Sequence, residues 1–177
     1  MERRHPLIED NVHMLMRGVE LIERIGDCLY ANTKPPFFKG GVGSHFRHCL
    51  DFYDSFLASL ATGKVNYASR RRNPLVETNR PRAIQEIEAI IERLRRIPPA
   101  DLQQAVEVIT EDATAAADSS AWGRSTIGRE LQSLLSHTVH HYAMIALALR
   151  LQGFEPPEAF GVAPSTLAHW ERLKASA

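Results

Sequence analysis

Two histidines four residues apart, His137 and His141, carry the most distinctive chemistry in this sequence. Side chains at that spacing on a helix lie nearly one above the other, so both imidazoles can face one ion. Neutral imidazole nitrogen suits borderline divalent metals such as zinc, nickel, manganese or iron. The same spacing also suits two flank histidines in ordinary hydrogen bonds, so a metal site needs a third ligand from another element. The run Ser44-His45-Phe46-Arg47-His48 offers two. At ~100° per residue, His45 falls nearer the face of Phe46, Tyr53 and Phe56, and His48 lies about 60° further round. Helical geometry alone therefore favours His45. His140 points about 160° from the apolar stripe of its own helix, toward solvent or a partner.

Three protein ligands leave coordination positions open, the arrangement of a catalytic metal site. An ion so held can lower the pKa of a bound water or thiol, or polarise a carbonyl. An anionic co-substrate would need cations, and Arg70, Arg71 and Arg72, with Tyr67 close in sequence, supply them. Arginine binds carboxylates with two parallel hydrogen bonds; a solvated basic loop paired with Glu77 is the plainer use of the same residues. Arg129 and Glu130 precede His137 by about two turns and can border the same pocket or form surface ion pairs. Asp51 is a candidate acceptor for a ligand imidazole. Cys49 reads as core, and Trp122 and Trp170 as packing residues. No serine triad, phosphate-binding glycine loop or dinucleotide fingerprint is present.

These side chains need helices to carry them, and four segments have helical periodicity. In 6–30, Ile8, Val12, Leu15, Val19, Ile22 and Leu29 step by threes and fours behind Pro6, and Asn32 with Pro35-Pro36 ends the run. In 42–60, after Gly40-Gly41, Ser44 is a candidate cap and Phe46, Leu50, Tyr53 and Phe56 face inward. Residues 62–78 read as a polar connection. The third helix, 79–97, carries Ile84, Ile87, Ile91 and Leu94. The fourth, 126–151, has Ser125 as its candidate cap, Leu131, Leu134, Tyr142, Ile145 and Leu149 inward, and Gly153 beyond its end. Between the last two, Val106 and Val108 alternate like a half-exposed strand, Asp112–Ala117 suits a turn, and a weaker return strand runs toward Trp122. A short helical piece is expected around Ser165–Leu173. The fold class expected is all-α, a four-helix bundle with a small β-hairpin in the crossover before the last long helix, in one domain over 1–177.

Composition bounds the rest. Lys plus Arg equals Asp plus Glu at 21 each, leaving no basic excess for nucleic acid or a membrane surface. The N-terminal residues lack the apolar run of a secretory signal, no stretch approaches the ~20 apolar residues of a membrane span, and two cysteines make no disulfide framework. A cytoplasmic protein is expected.

With these elements in place, the chain resembles the DinB-like superfamily of metal-binding four-helix bundles, which includes thiol-dependent S-transferases and maleylpyruvate isomerases. Phe46-Arg47-His48-Cys49-Leu50-Asp51 looks like the family's first ligand element, and His137-Thr138-Val139-His140-His141 like its second. The resemblance covers roughly 7–151 in helix order and ligand placement. It implies that His48, His137 and His141 hold a divalent ion, overruling the wheel argument for His45. It further implies a low-molecular-weight thiol as co-substrate, a small electrophile as substrate and a homodimer as assembly. His45, Tyr67, Arg70, Arg72 and Arg129 then become candidates for contacting substrate. The competing expectation is a non-catalytic, metal-binding or dimerising stress-related bundle. A di-iron centre is disfavoured, because the Glu-x-x-His pairs of such sites are missing.

Overall fold

A computed structural model describes residues 5–32, 41–110 and 122–176. In chain order its elements are α1 (Pro6–Arg24), α2 (Asp27–Tyr30), α3 (Gly41–Ser59), β1 (Lys64–Asn66), α4 (Leu75–Thr78), α5 (Arg80–Arg95), β2 (Ala105–Ile109), β3 (Gly123–Thr126), α6 (Ile127–Leu151) and α7 (Pro164–Ala175). The fold is mostly helical, as expected, and the small β element expected beside the helices is a three-stranded sheet in the order β1-β2-β3. β2 pairs antiparallel with β3, with Val106 opposite Ser125, where a hairpin was expected. β1, inside the stretch read as a polar connection, pairs parallel with β2 through Val65 and Val108. Three residues are too short for an alternating pattern to register in sequence. The expected turn at Asp112–Ala117, Pro35-Pro36 and Gly40 lie outside the described residues.

α1 and α3 each pack against both α5 and α6, so the four long helices enclose a common core. Phe46, Tyr53 and Phe56 from α3, Leu15 and Ile22 from α1, Ile87 and Leu94 from α5, and Leu131 and Ile145 from α6 are fully buried there. The first expected helix is interrupted. Ile25 and Gly26 adopt extended backbone, and α2 follows as a separate turn. Arg80 explains how the break is tolerated. Its guanidinium donates to the carbonyls of Ile22 and Ile25 and pairs with Asp27, satisfying groups that a helix end leaves open. Thr126, not Ser125, caps α6 by accepting from the Arg129 amide. Ser44 lies within α3 and does not begin it. Gly43 lets α4 sit tightly on α3, since a Cβ at that position would lie 2.0 Å from the Glu77 carbonyl oxygen. Among the described residues no helix is long and apolar enough to cross a membrane.

One polar group ties three of the long helices together. Asn11, fully buried on α1, donates to the carbonyls of Leu7 and Leu131 and accepts from the Tyr53 hydroxyl at 2.6 Å. Thr138 donates to the Leu134 carbonyl and lies 3.5 Å from the Tyr53 oxygen. An Asn11→Ala chain would leave that hydroxyl buried without its acceptor, a loss expected to cost about 1–3 kcal/mol. A fall in the urea midpoint at constant m-value measures it.

Candidate metal centre

α3 and α6 cross so that their histidines interleave. His45 meets His141, His48 lies against both His141 and His137, and Phe52 meets His137, with ring centroids 5.1, 4.6, 4.9 and 4.7 Å apart. This order, with α3 rising as α6 falls, makes the two helices antiparallel. The four-residue spacings produce it directly: His137 and His141 stack along α6, and His48 and Phe52 along α3. A ligand nitrogen from each of His48, His137 and His141 lies within 4.8 Å of the others, close enough for one ion to take all three. All three side chains are half-buried.

His45 stands one turn before His48 and reaches only the upper end of this set. Its Nδ1 lies 2.8 Å from Nδ1 of His141, a contact in which one ring donates and the other accepts. With Nδ1 of His141 so engaged, Nε2 is the nitrogen left for an ion. The wheel argument placed His45 on the more buried face and could not see that the helix crossing carries it past His137. His140 is exposed and only edges against His141.

The electrostatics suit neutral ligands. Burial, reinforced by His137 and the Arg70 and Arg47 guanidinium groups, pushes His48 down to about 4, and burial with His137 and His48 pushes His141 down to about 3. His45 is lowered too, by burial and then His140. These rings refuse a proton at pH values where a free imidazole, near 6.5, accepts one. Below 6.5 the unfolded chain therefore binds protons that the folded chain does not. Stability of the metal-free chain is expected to be full above that value and to fall as the pH drops toward 4 and then 3. Urea titrations between neutral pH and about pH 4.5 check this, with a shallower fall expected for a His48→Gln variant. The donor set, three neutral imidazoles in a half-buried cluster, fits a divalent ion.

The other candidate contacts separate. Arg70 lies with its guanidinium carbon 4.5 Å from the Phe52 ring centre, one nitrogen 3.5 Å from His48 Nδ1 and another donating to the Tyr67 carbonyl. Tyr67 stacks on Phe52 and donates its hydroxyl to Glu130 at 2.9 Å. Arg72 instead lines a separate 370 Å³ cleft with Asp51, Asp54 and Glu86. Arg129 is exposed on the first turn of α6. Asp51 does not serve an imidazole. It pairs with Arg47 and accepts from the Asn73 amide, which anchors the loop after Arg70. Cys49 is buried and its thiol is pushed well up by burial, as a core residue requires. Sequence reasoning passed over Phe52, while Glu130, expected to border the pocket, is buried and lines the cavity beside His137. Both were signalled by spacing, since Phe52 follows His48 by four and Glu130 precedes His137 by seven.

Residues 19–145, more than half of the chain, match the DinB superfamily. The chain belongs to that superfamily. His48, His137 and His141 all fall inside the matched span. A 107-residue stretch is 35% identical to FK506-binding protein 5 of Rhizopus delemar, covering 59% of this chain and 27% of that protein. The DinB chain thus corresponds to about a quarter of that relative's length. No solved structure matches it significantly.

Proposed function

We propose that this DinB-superfamily chain is a metal-dependent enzyme that transfers or isomerises a small electrophile with a low-molecular-weight thiol as co-substrate. The observation that carries the reading is the convergence of His48 from α3 with His137 and His141 from α6 within 4.8 Å, beside a cavity that His137 itself lines. The three imidazoles would hold the ion, be it zinc, nickel, manganese or iron. When bound, it supplies Lewis acidity that favours the thiolate form of a small thiol. Arg70 supports the same reading. A guanidinium this close to a ligand ring repels a bare cation, and it becomes favourable when an anion sits between the two. Thiolate or carboxylate groups of a co-substrate meet that condition, and arginine offers them paired donors. Phe52 fixes the guanidinium plane from below. The four long helices are read as the family's four-helix bundle. A homodimer is proposed as the assembly, with exposed Leu147 and Leu151 on successive turns of α6 as apolar surface for it.

The test combines metal content with turnover. Purified chain is loaded with each divalent metal in turn and mixed with a small thiol and an activated electrophile such as an epoxide or aryl halide. Thiol consumption above the uncatalysed rate, lost in His48→Ala, supports the proposal. A chain that binds metal stoichiometrically yet accelerates no thiol or isomerisation reaction would instead favour the non-catalytic bundle.

A further inference from the structure

The cavity beside His137 has a second polar group that the metal reading does not use. It measures 260 Å³ and is walled by Phe52, Tyr67, Val108 and Leu134, with His137 and, about two turns earlier on α6, Glu130 also in its lining. That volume is at the small end of ligand pockets, which run about 300–1,000 Å³ for drug-sized molecules. Glu130 is only 6% exposed. Its two oxygens accept from hydroxyls, Tyr67 at 2.9 Å and Ser125 at 2.6 Å, and among the described residues no cation pairs with it. Two neutral donors orient a carboxylate but leave its charge uncompensated, and a buried charge is costly unless a counter-charge meets it. The Tyr67 hydroxyl stays protonated, because burial and Glu130 both push its pKa up, so it remains a donor to that carboxylate.

We infer that this cavity is the substrate pocket and that it takes a small primary or secondary amine: an apolar body against Phe52 and Leu134, an ammonium on Glu130, and the reacting end toward the three imidazoles. The inference rests on the metal-centre reading for the direction in which the substrate lies, but not for the amine preference itself. An ammonium supplies the missing counter-charge and donates charge-assisted hydrogen bonds to lone pairs that the two hydroxyls leave free. The flat Phe52–Tyr67 stack favours a planar or short aliphatic body. Arg70, on the Phe52 ring near His48, puts a positive group near the imidazoles.

Calorimetric titration with benzylamine, benzyl alcohol and benzoate tests the pocket, on metal-loaded and chelator-treated protein alike. Benzylamine is expected to bind more tightly than the other two by about tenfold or more, the worth of a charge-assisted contact. Glu130→Gln is expected to erase that preference while leaving benzyl alcohol unchanged. Should the buried Glu130→Gln chain fail to fold, Ser133→Lys, at an exposed position on the cavity rim, is expected to weaken benzylamine selectively. Equal binding of amine and alcohol, or an amine preference untouched by both variants, overturns the inference. An amine preference that persists in a chain binding no metal leaves the inference standing and removes the metal-centre reading.

Discussion

A His141→Ala chain is expected to copurify with no stoichiometric divalent metal, while wild type carries about one ion per chain. His141 is the member of the set nearest both of the others, with ring centroids 4.6 Å from His48 and 4.5 Å from His137. Its removal leaves two imidazoles, fewer than the three protein ligands typical of a catalytic zinc site. A His45→Ala chain gives the contrast. It keeps the three candidate ligand rings and loses the partner of His141 Nδ1, the contact that sets which nitrogen of that ring is left for an ion. Loss of such an orienting partner typically costs about 10–100-fold in metal affinity, so His45→Ala should still bind at raised metal concentration. Competition against a chromogenic chelator separates the two variants. Full metal content in His141→Ala would remove the proposed centre. Equal loss in both would return His45 to the status of a ligand.

A Phe46→Ala chain is expected to lose about 3–5 kcal/mol of stability, the usual cost of emptying a buried aromatic site. Phe46 is fully buried, stacks with Tyr30 at 6.0 Å and tilts against Tyr142 at 5.3 Å, and so joins α2, α3 and α6 in one contact. Its neighbourhood cannot collapse easily. A Cβ on Gly18 would already lie 3.0 Å from its ring, and Tyr30 is held by its hydroxyl bond to the Val76 carbonyl. The change removes a large share of the ~5–15 kcal/mol that a domain has in total. Guanidinium unfolding reads it as a lower midpoint. Because Phe46 sits between His45 and His48 on α3, a variant that folds should also show weaker metal binding.

The helical part of the fold was legible because four long periodic stripes leave little freedom. α3, α5 and α6 begin and end within two residues of the expected bounds. What escaped was short or depended on partners distant in sequence. β1 has three residues and exists through its pairing with β2. The break after Arg24 depends on Arg80, more than fifty residues away. Asn11 reads as a surface residue in any local window, yet it lies at the meeting of α1, α3 and α6.

For the site, residue type and spacing alone established that His137 and His141 share a face of one helix, since a 3.6-residue period permits nothing else. The choice between His45 and His48 was different. A wheel describes one helix about its own axis and says nothing of where a second helix crosses it. The antiparallel crossing of α3 and α6 put His48 opposite both rings and His45 against His141, while Arg70 and Tyr67 came to lie on Phe52 and Arg72 in another cleft. Those placements come from long-range packing, where side chains far apart in the chain compete for the same volume, and no local pattern records the outcome.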